Sequence, residues 1–236
     1  EIWGYETDGY YTINDFNADD AKHKTWTLKE GVVKINGYNP QPGDVKFKDL
    51  RTDGVINAGD NTVDNPGDRK IIGNDAARYQ FGISLGASYK GWSLEVLLQG
   101  VGKRDYWLGG PAMFPFGGAG AGDAVFQALY ANQTDYWRAK SYDPSSSDYM
   151  VPVNPDSKLF RIYDQGNNVG SNTRVSDKYL QNAAYMRIKN ITLAYTLPKE
   201  WVKRAFIQDA KFYLSVENLA TFSSLPKGYD PEGTAP

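Results

Sequence analysis

The densest group of chemically capable side chains lies in Asp49-Leu50-Arg51-Thr52-Asp53-Gly54-Val55-Ile56-Asn57-Ala58-Gly59-Asp60, which follows the D-x-x-x-D-G-x-I-x-x-x-D spacing of a calcium loop. Ca²⁺ takes several oxygen ligands, and the glycine supplies the sharp turn between them, so Asp49, Asp53 and Asp60 are the candidate ligands of a structural Ca²⁺. Arg51 places a cation where the third position should donate an oxygen. The competing reading is a turn held by Asx and Gly residues without metal. Trp26, Tyr106, Trp107, Phe114, Tyr136 and Trp137 fall in segments with no strand periodicity. Rings on loops stack on sugar faces or anchor a protein partner. Trp107, Tyr136 and Trp137 are the candidate contacts, against the plainer alternative of loop packing.

The remaining chemistry is sparse. His23 is the only histidine and sits in a Gly- and Asp-rich stretch, so no Ser-His-Asp arrangement is built, and no carboxylate pair stands out for glycoside hydrolysis. Gly117 to Gly122 is not followed by Lys-Ser or Lys-Thr and reads as a loop, not a phosphate cradle. The absence of cysteine excludes disulfides and thiol nucleophiles. These observations predict a protein that is not an enzyme and requires no cofactor.

The elements that carry these residues are strands. The 236 residues include 17 Tyr, 10 Phe, 6 Trp and 24 Gly against 3 Met, a bias toward strands and turns. A formal net charge of −2 gives no reason to expect nucleic acid as a partner. No run approaches the roughly 20 apolar residues of a spanning helix, and the first residues lack a signal-peptide pattern. That excludes a helical membrane protein and leaves a membrane barrel open, because barrel strands alternate and keep hydropathy low.

From Arg78 to Tyr89 the odd positions Tyr79, Phe81, Ile83, Leu85, Ala87 and Tyr89 are apolar or aromatic, and the even positions are polar or small. A soluble strand usually runs about 5 to 6 residues, whereas a tilted membrane strand needs roughly 9 to 11 with aromatics at both interfaces. Lys90-Gly91 then makes a tight turn into Trp92 to Lys103, with Trp92, Leu94, Val96 and Leu98 on one face and Glu95 directed inward. Tyr185 to Leu197 and Lys211 to Ser223 repeat the pattern, the former with a phase change that a bulge near Lys189-Asn190 reconciles. A weaker fifth strand is expected through Ile2 to Tyr11. The connections alternate long (12–78), short, long (104–184), short, which predicts an all-β, antiparallel transmembrane β-barrel segment whose long loops lie on one side.

These segments resemble the C-terminal region of SusC/RagA-type TonB-dependent transporters. The resemblance is carried by Ile2-Trp3-Gly4-Tyr5 with Asp8-Gly9-Tyr10, by Gly43 to Leu50 with Asp53-Gly54-Val55-Ile56, and by Asp68 to Asn74. It continues through Ser176 to Ile191, Tyr195-Thr196-Leu197-Pro198 and Val216-Glu217-Asn218-Leu219, in the family's order. It implies about five strands of a plugged barrel of about 22, in the outer membrane of a Gram-negative bacterium with the long loops extracellular. It also implies energisation through TonB, a SusD-like surface lipoprotein, and an oligosaccharide or peptide ligand. The family's signal sequence, TonB box, plug domain, earlier strands and closing strand have no counterpart in these residues, so the remainder of the barrel and the plug are expected partners. An open sheet in lipid would leave its edges unpaired. The alternative is a soluble, secreted β-sandwich that binds carbohydrate through loop aromatics.

Overall fold

The computed structural model describes residues 1–17, 26–110, 113–114, 129–162, 169–204 and 206–233. His23 and the run from Gly117 to Gly122 lie outside the described residues. The chain forms two compact units, Glu1–Asn74 with Trp107–Leu180 and Asp75–Tyr106 with Gln181–Pro236.

The second unit is built on one antiparallel sheet. Its strands are β5 (Arg78–Tyr89), β6 (Trp92–Lys103), β9 (Tyr185–Thr196) and β10 (Lys211–Ser223), ordered β10-β9-β6-β5. These coincide closely with the four long segments expected from alternation. Tyr89 pairs with Trp92 across Lys90 and Gly91, whose φ values of 47° and 87° are both positive. Such a two-residue turn matches the right-handed twist of the strands it joins. The register between β6 and β9 shifts where Leu97 faces Asn190 and Leu98 faces Ile188, leaving Lys189 unpaired in that ladder. This is the expected bulge, and it returns Ile188 and Met186 to the face occupied by Ile191 and Leu193. A matching irregularity in β10 falls between Glu217 and Ala220, with Asn218 at φ 51°.

The first unit contains β1 (Ile2–Tyr5) paired with β4 (Arg69–Gly73), and β2 (Thr7–Tyr10) paired with β3 (Val45–Phe47). β7 (Asp105–Trp107) and β8 (Leu180–Asn182) are three residues each and lie where the chain passes between units. Residues 2–11 therefore do not form a fifth long strand: the segment breaks at Glu6 into two short strands that belong to two different sheets. The two stretches expected as long loops are not bare loops either. Together with Tyr5 they build a core of Val45, Phe47, Ile56, Phe114, Trp137, Met150, Leu159, Phe160 and Tyr179.

Much of that unit has no regular ladder, so buried polar side chains satisfy its backbone. Asn172 is fully buried, accepts from the Val45 amide at 2.7 Å and donates to Asp44 at 2.7 Å, while Asp44 also accepts from the Gln41 amide at 2.8 Å. Glu6 receives Lys48 and Lys70 in ion pairs that tie β1, β3 and β4 at their edges.

Candidate functional site

The register of the four long strands builds two chemically different faces. On one, cross-strand partners line up in five rows: Tyr89-Trp92-Tyr195-Phe212, Ala87-Leu94-Leu193-Leu214, Leu85-Val96-Ile191-Val216, Ile83-Leu98-Ile188-Ala220, and Phe81-Gly100-Met186-Phe222. The middle three are aliphatic and the outer two carry the aromatics. Trp92 and Tyr195 lie 4.7 Å apart in the first row. From Phe81 to Tyr89 the rows span about 27 Å along the strand at about 3.4 Å per residue. A tilt of roughly 35–45° reduces this to about 20 Å along a membrane normal. With the reach of the outermost rings, that fits an apolar band of about 25 Å. These side chains are not covered: Leu85 is 54% exposed, Leu214 68% and Phe212 66%. A soluble protein rarely leaves so continuous an apolar area in water.

The opposite face carries Ser84, Gly86, Ser88, Ser93, Glu95, Gln99, Asn190, Thr192, Ser215, Glu217 and Thr221, with Leu97 among them. Asn190 donates to Ser215 at 2.9 Å, and Thr192 donates to Asn190 at 2.8 Å. Arg187 is the anchor of this face. It is nearly buried and donates to Thr221 at 2.8 Å, Glu232 at 2.8 Å and Asp230 at 2.5 Å, while Lys189 reaches Glu232 at 3.2 Å. The segment after β10 is thus pinned back over the polar side of the sheet. The Glu232 amide, then Arg187, holds the Asp230 carboxyl below its ordinary range.

The residues singled out for ligand contact divide in the first unit. Trp137 is a correction: its ring is 0% exposed and lies in the core, so it cannot stack on a ligand. Gly43, at φ 93°, backs it so closely that a Cβ there would lie 2.7 Å from the indole. Tyr136 is half-buried with the Arg138 guanidinium 5.8 Å above its ring, and Trp107 is half-buried against Phe114 at 6.2 Å. Neighbours in sequence, Tyr136 and Trp137 differ because a parallel bridge from Tyr136 to Leu159 runs the segment through the core edge.

Asp49, Asp53 and Asp60 are not gathered into a cage. Asp49 accepts from the Gly54 amide at 2.8 Å, Asp53 from the Val55 amide at 3.1 Å, and Asp60 from the Asn65 side chain at 2.7 Å. Desolvation would raise the Asp49 carboxyl, but the amides of Gly54, Thr52 and Asp53 hold it below the ordinary range. Among the described residues no three acidic or histidine side chains converge as metal ligands. Arg51 uses the loop differently from a ligand: its guanidinium donates to Asn65 at 3.2 Å. The carboxylate that organises the loop is Asp68, fully buried and accepting from the amides of Leu50, Arg51 and Asn57. Sequence spacing passed over Asp68 because it lies beyond the twelve-residue motif.

A groove of about 760 Å³ lies on the same unit, lined by Trp26, Lys29, Lys34, Asn36, Asn39 and Gln41 among others. Trp26 stacks on Tyr149 at 6.0 Å and meets Phe16 edge-on at 5.2 Å, which fixes its ring. Of this lining Trp26, Gly54 and Val55 carried a signal in the sequence. The polar residues acquire a common surface through the fold alone.

The described strands thus make an all-β chain whose long sheet has the two-faced pattern of a membrane-barrel wall. No protein-family profile matches the chain. It is 25% identical over 98% of its length to TonB-dependent receptor P3 of Formosa agariphila, and 23% identical over 89% to TonB-dependent receptor P26 of the same organism. In each case it spans 18% of the relative, about a fifth of the full length. Among solved structures it superposes on the RagAB peptide importer in its open-open state with a TM-score of 0.51 and 19% identity, over 98% of this chain and 19% of that one. The resemblance to TonB-dependent receptors is therefore borne out by relatives that match nearly the whole chain, and the fold is shared with a solved RagAB importer. The relatives are TonB-dependent receptors and the solved neighbour is a peptide importer.

Proposed function

We propose that the chain is a wall segment of an outer-membrane, TonB-dependent transporter that imports oligosaccharides or peptides together with a SusD-like surface lipoprotein. The observation that carries this reading is the set of three aliphatic rows between two aromatic ones on the exposed face of the β5, β6, β9 and β10 sheet. Lipid accounts for such a face, and the polar face opposite accounts for a water-filled or plugged lumen. The two short connections, at Lys90-Gly91 and at 197–210, share one end of the sheet and lie on the periplasmic side, so the long connections are extracellular. Transport in this scheme is binding and rearrangement without covalent chemistry. The plug and the remaining strands come from the rest of the barrel, and energy comes through TonB.

Cargo meets the extracellular unit on grooves such as the one at Trp26, where a fixed ring and amide side chains suit a sugar or a peptide backbone. The apolar rows also weigh against a soluble sandwich, in which a second sheet would cover Leu85 and Leu214. The test is purification of the full-length receptor from membranes. The expected result is extraction only with detergent, a copurifying lipoprotein, and uptake of labelled oligosaccharide or peptide that stops when the inner membrane is de-energised. A freely soluble native protein would overturn the proposal.

A further inference from the structure

The connection from β9 to β10, residues 197–210, starts directly beyond the Tyr195–Phe212 pair of the aromatic row, and is closed by the Leu197 amide donating to Ala210 at 2.9 Å. It carries a short helix, Lys199–Lys203, held down by buried Val202. The helix ends with the Phe206 amide donating to Lys203 and the Ile207 amide to Val202. Phe206 occupies the left-handed position of this ending, at φ 60°. Glycine is the usual residue there, because a side chain in that conformation is strained. The strained residue is also completely exposed, at 100%, and Trp201 and Ile207 beside it are 63% and 48% exposed. An aromatic held in an unfavourable backbone conformation and turned away from its own fold has a partner outside the fold.

The charges identify that partner. Lys199, Lys203, Arg204 and Lys211 stand against Glu200 and Asp209 on residues 198–211, a net of +2 (four cations less two carboxylates) on a chain whose overall net charge is −2. Exposed aromatics with neighbouring cations, level with an aromatic row that ends an apolar band, match the requirements of the membrane interface. Juxtamembrane Lys and Arg are attracted to anionic headgroups. We propose that this connection is an interfacial anchor: Trp201, Phe206 and Ile207 enter the headgroup region of the phospholipid leaflet on the short-turn side, and Lys203 and Arg204 bind the phosphates of anionic lipids. The proposal rests on the sheet being a barrel wall.

The experiment places a nitroxide on the full-length receptor through Phe206→Cys, native cysteines elsewhere having been replaced, in bilayers of phosphatidylcholine with or without phosphatidylglycerol. Leu85→Cys and Ser84→Cys serve as references for the apolar and polar faces. The label at position 206 is expected to collide several-fold more with oxygen, relative to an aqueous nickel chelate, than the label at position 84. Lys203→Glu with Arg204→Glu is expected to shift it toward water only in bilayers containing phosphatidylglycerol. Full access of the nickel chelate to position 206, or shielding from both reagents as in a protein contact, overturns the anchor. An aqueous reading at position 85 instead overturns the barrel wall itself, so the two failures are distinct.

Discussion

Leu85→Arg and Ser84→Arg differ by one residue in β5 and by everything in environment. Leu85 belongs to the third of the five apolar rows, with Val96, Ile191 and Val216, about 14 Å along the strand from the aromatic row at Tyr89. With a tilt of 35–45° that is about 10 Å in depth, close to the midplane of an apolar band of about 25 Å. An outward arginine at the midplane costs about 2–4 kcal/mol, falling to about 0–1 kcal/mol near the interface. Leu85→Arg should therefore lower the folded-to-unfolded ratio in lipid vesicles by about 30-fold to nearly a thousandfold, at about 1.4 kcal/mol per factor of ten. Tyr89→Arg, in the girdle, should cost less than about fivefold. Ser84→Arg, on the polar face, should be close to neutral. The assay is a denaturant titration of the full-length receptor in phospholipid vesicles, with assembly in cells read by heat-modifiable migration as a check. Equal costs at positions 84 and 85 would refute the two-faced reading, as would a cost at 89 equal to that at 85.

Gly91→Ala should destabilise the β5–β6 hairpin by about 1–2 kcal/mol, since φ there is 87° and a Cβ would lie 2.9 Å from the Thr196 carbonyl oxygen; slowed assembly of the receptor checks it. Gly43→Ala should cost about 2 kcal/mol or more in the first unit, where the added methyl meets the buried Trp137 ring; protection of that unit from hydrogen exchange should fall while the long strands keep theirs. Arg187→Lys should fail to replace Arg187, because one ammonium cannot serve Thr221, Asp230 and Glu232 together; proteolysis within 225–233 is expected to accelerate. Glu6 is held down to about 2 by hydrogen bonds from Lys48 and then Lys70, so its contribution is present above the ordinary carboxyl value of 4.5 and is lost as pH falls toward 2. Carboxyl chemical shifts across that window, with Glu6→Gln as the blank, measure it, and added salt should weaken the effect at so exposed a site.

What was legible in the sequence is what a local rule enforces. Two chemically different faces, one apolar and one polar, impose period two along Arg78–Tyr89 and Trp92–Lys103, and the same constraint makes the phase slip at Lys189 visible as a bulge. The Lys90-Gly91 turn follows from its length alone. Where partners are remote, no local rule marks them. Ile2 to Tyr11 alternates well enough for one strand, but its partners are Arg69–Gly73 and Val45–Phe47, which divide it. Trp137 and Tyr136 look alike in an aperiodic stretch, and the core that takes in one of them, with Gly43 closing on its ring, is assembled from residues remote in sequence. The calcium-like spacing around Asp49 is legible, whereas the tie from Asp68 to the amides of Leu50, Arg51 and Asn57 is not, because Asp68 lies beyond the motif.

β6 and β9 pair from Trp92–Tyr195 to Val101–Tyr185, with the single bulge at Lys189, although residues 104–184 separate them. Closing that excursion costs little more than closing the connection at 197–210: it is about sixfold longer, and each doubling adds about 0.6 kcal/mol, so the difference is about 1.5 kcal/mol. The alignment of the two strands is set by their own apolar rows, and the excursion has no vote in it. What lies between Lys103 and Tyr185 is held instead by the first unit, where Phe114, Trp137, Leu159 and Tyr179 pack with Val45, Phe47 and Ile56, so the length of the excursion can drift at little expense to the ladder while those core residues cannot.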